Sequence, residues 1–528
     1  MRVLLATSRP GMRPDIGLNN LPSVGLYRIK AYLDENGHHG EVWDYVLEDG
    51  DPDASLLSRF SIIGISVSNT FSESDLLAIH QLRQQVGPRV LIVVGGQEAT
   101  FNPVFWLNNG ADLAVLGYGE LPMLRLAEAF EHGWEAGWAK VPEMPGLARL
   151  QDGKLVSRHA EELTAPLFQE LTFGLSKRLA IPFERYWEKA RKVSAAVNVL
   201  SNTFIAETVP IYTASRCPNH CGFCSSHIFL DVAQGSVHKA LFLNASQILD
   251  IMTTAYARHG ARAFYFSDDE FLLHKQRMRE LSPLIVQARA DGRLAPDTMI
   301  FGQARVTDFM TNGPNGRVAD EAFARCLQAA GLRGISLGVE SFSDRLLTSP
   351  SMDKGTHTAS HALQVLRMAN RIGLTPRINL VLLPPESTED ELRATIDQAL
   401  ELVLEGCQLG VNVRYHDASG IPFAKKPGYR PIPHRITTPL GVSLEIPGYV
   451  EPHDPRLADL AHHYEDEYAA ELANFHARLT VPLERVSRQY VGLISVITIA
   501  THLGWKDRET YWRGLLADWI SRARSNAA

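Results

Sequence analysis

Three thiols stand within eight residues in the run Tyr212-Thr-Ala-Ser-Arg-Cys217-Pro-Asn-His-Cys221-Gly-Phe-Cys224-Ser-Ser-His227. That is close enough for one metal centre. Three thiolates leave one iron of a four-iron cubane without a protein ligand, where a small molecule can chelate. Pro218 and Gly222 let a loop wrap such a cluster without side-chain clashes. A zinc site would need a fourth ligand from His220 or His227, and the three-and-two spacing is far from the paired spacings of zinc fingers. Cys326 and Cys407, the other two cysteines, read as buried structural thiols.

The elements that would position this loop belong to a long chain. With 528 residues, two or more domains are expected. The formal charge of −7 is spread without long like-charge runs, which argues against nucleic acid and favours a small-molecule substrate. Five cysteines are too few for a secreted disulfide framework, so the compartment reads as reducing. The opening run Val3-Leu4-Leu5-Ala6-Thr7 is not a signal peptide, and the longest apolar stretch, Leu493 to Leu503, is too short to span a bilayer. The expectation is a soluble cytoplasmic protein with no membrane partner.

Strand-like and helical patterns alternate over the first 130 residues, as in a parallel sheet flanked by helices. Candidate strands are Arg2–Thr7, Gly40–Tyr45, Ile62–Ser66, Val90–Val94 and Leu113–Leu116. Such sheets bind ligands beyond the carboxyl ends of their strands. The loops there are small and polar: Ser66-Val67-Ser68-Asn69-Thr70, Gly95-Gly96-Gln97-Glu98, and Gly117-Tyr118-Gly119-Glu120. They would let a large ligand lie against backbone. A hairpin turning at Asp152-Gly153 follows, then a helical connector.

A second alternation begins at Val209–Thr213 and continues through Ala263–Phe266, Met299–Gly302, Gly334–Gly338, Arg377–Leu382 and Gly410–Tyr415. Six such units suggest a partial barrel with its chemistry at the strand C-termini. The fold class is therefore α/β: a doubly wound, Rossmann-like domain over 1–135, a linker over 136–207, a partial (β/α)6 TIM-type barrel over 208–425, and a mostly helical region over 426–528. Helices are expected at Pro455–Leu479 and Arg485–Arg524.

With Phe223 just before the third cysteine, the Cys217-x3-Cys221-x2-Cys224 motif resembles the radical S-adenosylmethionine superfamily. The first 135 residues resemble the cobalamin-binding domain fused to one branch of that superfamily, and the likeness runs to about residue 425. The resemblance implies a [4Fe–4S] cluster on Cys217, Cys221 and Cys224. S-adenosylmethionine would be chelated on the open iron and cleaved to a 5′-deoxyadenosyl radical. Further implied contacts are Phe223, Ser267 and Asp268 (the methionine amine), Gln303 and Arg305 (its carboxylate), and Glu340 with Ser341. Pro385 stands where the family usually has a glycine. For cobalamin the implied residues are Ser66, Ser68, Asn69, Thr70, Gly95, Gly96, Gln97, Glu98, Gly117, Tyr118, Gly119 and Glu120. The first loop has no histidine, so the Asp-x-His-x-x-Gly signature of an axial cobalt ligand is absent.

The expected function is that of a cobalamin-dependent radical enzyme, a C-methyltransferase acting on an unactivated carbon of a small metabolite or natural-product intermediate. An electron donor such as flavodoxin or ferredoxin would serve it. Ring contraction, cyclisation or dehydration, with or without cobalamin, is the nearest alternative. A non-catalytic iron–sulfur or zinc ligand sensor is the alternative of another class.

Overall fold

The computed structural model describes residues 1–8, 21–48, 50–67, 72–194, 207–314, 316–415, 429–437, 443–478 and 488–525. Its first sheet comprises β1 (Arg2–Ala6), β2 (His39–Trp43), β3 (Ile62–Ser66), β4 (Leu91–Gly95), β5 (Leu113–Val115), β6 (Leu147–Gln151) and β7 (Lys154–Ser157). The order is β2-β1-β3-β4-β5-β6-β7. The first five strands are parallel, their apolar runs buried on both faces by helices, and the strand order reverses between β1 and β3. Ligands bind at such a reversal.

The hairpin β6–β7 differs from its expected place in the linker. β6 pairs antiparallel with β5, so the hairpin belongs to the first domain, which therefore runs past residue 135. The pairing covers the edge that β5 would otherwise expose. Asp152 (φ 50°) and Gly153 (φ 72°) make its turn, as their residue types require.

The second sheet is formed by β8 (Thr208–Ile211), β9 (Ala263–Phe266), β10 (Met299–Arg305), β13 (Leu332–Glu340), β14 (Thr375–Leu383) and β15 (Gln408–Arg414). All six lie parallel and adjacent in chain order, the arrangement of an open barrel. A small hairpin, β11 (Met310–Gly313) with β12 (Gly316–Ala319), is inserted after β10.

The region after residue 426 is not purely helical. β16 (Pro431–Thr437) pairs antiparallel with β17 (Ser443–Val450) before three helices, Pro455–Arg478, Arg488–Leu503 and Lys506–Ser525. The expected last helix is broken at Gly504 (φ 73°), a left-handed position that suits glycine. The Arg488–Leu503 helix packs on β15, where a Cβ on Gly492 would lie 3.2 Å from Leu409. Tyr464, Tyr468, Phe475, Trp505 and Trp512 are buried core residues, whereas Tyr511 is exposed.

Candidate functional site

The loop leaving β8 carries Cys217, Cys221 and Cys224 as free thiols. Its path is fixed from below by Asp268. This carboxylate accepts from the Thr213 amide at 2.6 Å, the Ala214 amide at 2.9 Å and the Thr213 hydroxyl. Buried Arg277 donates to the carbonyls of Thr213 (3.1 Å), Leu243 (3.3 Å) and Phe271 (3.1 Å). Asp268 thus holds the scaffold of the loop through both of its oxygens, where a contact to the methionine amine was expected. Burial pushes its carboxyl upward against these hydrogen bonds.

Glu270, two residues on, reaches the cysteines instead. Its Oε2 lies 3.6 Å from Cys217 Sγ and accepts from the Asn219 amide, and the Cys217 thiol is pushed up to about 12 by burial and by this carboxylate. From above, the Gly222 amide donates to the Met352 carbonyl at 2.9 Å. A Cβ on Gly222 would stand 2.5 Å from the Ser351 carbonyl oxygen, so glycine is required there. Phe223 packs beside Met352, Val381, Tyr415 and Val450, with the Lys354 ammonium 5.5 Å from its ring centroid.

Arg305, at the end of β10, donates to the Asn219 side-chain oxygen and to the Thr356 hydroxyl, which brings it to the cluster loop. Glu340, at the end of β13, pairs with Lys354. Ser267 bonds the phenol of Tyr212. Gln303 is exposed and donates to the Tyr265 hydroxyl at 3.3 Å. Ser341 is buried against the Thr395 hydroxyl (3.3 Å) and accepts from the amide of Ser343, the residue that caps the helix Asp344–Leu347.

A cavity of about 330 Å³ opens beyond β1, β3, β4 and β5, and runs down between their sheet and the helices Val24–Glu35 and Glu120–Glu131. Ser66, Gly95, Gly96, Gln97, Gly117, Tyr118, Gly119 and Glu120 all line it. Glu98 is buried and is not on the lining, because it sits inside the short helix Gln97–Phe101. Ser68, Asn69 and Thr70 lie outside the described residues. Gly96 (φ 101°) and Gly117 (φ 82°) hold backbone conformations that side chains resist. A Cβ on Gly25 would meet nothing within 4 Å. A broad, flat ligand fits such a cradle. Among the described residues its lining contains no histidine.

Two residues of the second domain, Tyr212 and Phe229, close this cavity. They flank the cluster loop, one on each side in sequence. Sequence reasoning did not single them out, nor Arg28, which pairs with Glu120 at 2.7 Å and lies 5.2 Å from the Tyr118 ring centroid. A lone arginine within a helix carries no signal of its own. Asn219 and Glu270 stood inside segments already marked by the cysteines and the acidic run Asp268-Asp269-Glu270.

Residues 18–127 match the model of the B12 binding domain, and residues 211–399 match that of the radical SAM superfamily. The chain joins a B12-binding domain to a radical SAM domain. The cofactors of such domains are cobalamin, and a [4Fe–4S] cluster with S-adenosylmethionine. The glycine cradle of the B12-binding domain and the three thiols of the radical SAM domain fit them. The protein is an enzyme of the radical SAM class.

A solved structure of the radical S-adenosylmethionine methyltransferase TsrM from Kitasatospora setae, with cobalamin and a [4Fe–4S] cluster bound, is 19% identical. It covers 100% of this chain and 99% of its own, with a TM-score of 0.64. OxsB, a cobalamin-dependent S-adenosylmethionine radical enzyme, is 15% identical over 99% of this chain and 75% of its own, with a TM-score of 0.63. Both share the fold. An uncharacterized methyltransferase of Pyrococcus horikoshii, PH0819, is 24% identical over 75% of this chain and 76% of its own. No described helix is long and apolar enough to cross a membrane.

Proposed function

We propose that this enzyme transfers a methyl group to a carbon of a small molecule held between its two domains. The observation that carries the reading is the shared wall: Tyr212 and Phe229 bound the glycine-lined cavity and also flank the cysteine loop. A substrate between them would face both cofactors. When bound, the cluster supplies an electron for radical chemistry on S-adenosylmethionine, and cobalamin supplies a methyl carrier.

The chain's own residues prepare the site in three ways. Asp268 and Arg277 fix the backbone at the start of the cysteine loop. Arg305 and Glu270 bring a guanidinium and a carboxyl group to the cluster loop through Asn219, suited to the carboxylate and amine of a methionyl moiety; burial, then Asp308, pushes the Glu270 carboxyl up to about 8. The cavity lining, small at Gly25, Gly95, Gly96, Gly117 and Gly119, would hold a corrinoid against backbone, and the corrinoid would supply methyl transfer there. The methyltransferase relatives support the same reading.

The test uses S-adenosylmethionine carrying a trideuterated methyl group and the anaerobically reconstituted protein. Label in the corrinoid fraction, with S-adenosylhomocysteine as co-product, is expected. Corrinoid that stays unlabelled while S-adenosylmethionine is consumed would overturn methyl transfer in favour of rearrangement or dehydration.

A further inference from the structure

Lys354 is buried, 4% exposed, in the loop between the helices Asp344–Leu347 and Ala359–Arg371. Its ammonium pairs with Glu340 and stands over Phe223, the residue between Cys221 and Cys224. It is the foremost charge acting on Cys221, whereas at Cys224 the Asp269 carboxylate acts ahead of it. The third ligand differs, because Cys217 faces the Glu270 carboxylate. The fixed ammonium therefore stands on the Cys221 side of the cysteine loop, and the carboxyl of Glu270 on the Cys217 side.

Two features hold Lys354 in register with the thiols. Its loop is bonded to the cysteine loop through Gly222 and Met352, and its own amide donates to the Leu347 carbonyl at 2.8 Å. Glu340, its counter-ion, has φ 66° beside a break in the β13–β14 register between Gly338 and Glu340. A left-handed backbone at a glutamate is costly, and such strain persists where the surroundings enforce it, commonly at functional sites. Gly338 leaves the room: a Cβ there would collide with the Lys354 ammonium.

Resting on the reading of Cys217, Cys221 and Cys224 as cluster ligands, we propose that Lys354 sets how readily the cluster accepts an electron. One electron from an external low-potential donor adds one negative charge to the cluster, and the fixed ammonium offsets it. Glu340 limits the effect and holds the ammonium in place. Net charge close to a cluster is among the determinants of its potential, and at this depth water screens the interaction little.

The experiment is a spectroelectrochemical titration of the reconstituted protein, with iron and sulfide measured on each sample. At the potential where the wild type is half reduced, Lys354→Met is expected to show a reduced-to-oxidised ratio at least about ten-fold lower. Lys354→Arg stays within about three-fold, and Glu340→Gln moves the ratio the other way. An unchanged ratio in a fully loaded Lys354→Met protein overturns the proposal. If that variant loads poorly, iodoacetamide alkylation of Cys221 in the cluster-free protein takes its place. It is expected to be slower than in the wild type, and equal rates overturn the proposal. Failure of the wild type itself to bind iron would instead overturn the cluster reading.

Discussion

The Tyr118 hydroxyl, in the glycine loop of the B12-binding domain, donates to the Ser215 carbonyl of the radical SAM domain at 3.4 Å. Ser215 stands two residues before Cys217. One side chain therefore joins the walls of both cofactor sites. The Arg28 guanidinium against its ring, itself held by Glu120, keeps the phenol from swinging into the cavity. Tyr118→Phe should cost about 1 kcal/mol of stability. It should also weaken corrinoid retention, read by desalting, more than it weakens iron loading. Equal losses of both would assign Tyr118 to the fold in general.

Gly222→Ala tests the packing of the cysteine loop. The added methyl meets the Ser351 carbonyl oxygen at 2.5 Å, and neither backbone can yield without breaking the Gly222–Met352 bond. Iron content after reconstitution should fall several-fold while far-ultraviolet circular dichroism is unchanged. Full iron loading would show that the loop is not held as described.

Asp268→Asn separates scaffold from ligand contact. Asparagine can keep its oxygen on the Thr213 and Ala214 amides, but its NH2 would then face the Thr213 hydroxyl, which must accept where it now donates. It would also leave buried Arg277 without its nearby negative charge. A loss of about 3 kcal/mol in chemical denaturation of the cluster-free protein is expected. A residue that only touched S-adenosylmethionine would leave that stability unchanged.

His357 predicts a pH dependence. Its Nε2 faces the Val339 carbonyl at 3.3 Å, so this nitrogen carries the proton, and Nδ1 is buried without a partner. Burial, then Lys354, lowers its pKa from 6.5 to about 4. Protonation is thus easier in the unfolded chain. The stability that neutral His357 contributes is complete above about pH 6.5 and is lost as pH falls towards 4, about 3 kcal/mol in all. His357→Gln should flatten the urea midpoint between pH 6.5 and 4. An equally steep fall in the variant would assign the effect to other groups.

Both sheets were legible in the chain because buried parallel strands are short apolar runs with small residues after them. Ile62–Ser66 and Ala263–Phe266 fall where that pattern places them. The cysteine loop was legible because its spacing carries its chemistry. β16 and β17 were not, since Pro431-Ile-Pro-His and Glu445-Ile-Pro-Gly interrupt the alternation; a two-stranded ribbon tolerates proline because every strand in it is an edge. Asp268 and Glu270 could not be told apart in sequence: adjacent carboxylates look alike until the fold turns one down to the Thr213 amide and the other up to Cys217. The Lys354–Glu340 pair joins two loops through a left-handed glutamate, which no local pattern announces.

The most direct test of the two-cofactor site is anaerobic reconstitution with iron, sulfide and hydroxocobalamin. After desalting, bound corrinoid is counted and S-adenosylmethionine products are analysed by mass spectrometry under a strong reductant, with Cys217→Ala as control. About one corrinoid per chain in both proteins is expected, with S-adenosylmethionine cleaved only by the wild type. Cleavage that survives in Cys217→Ala, or a wild type that retains no corrinoid, would contradict it.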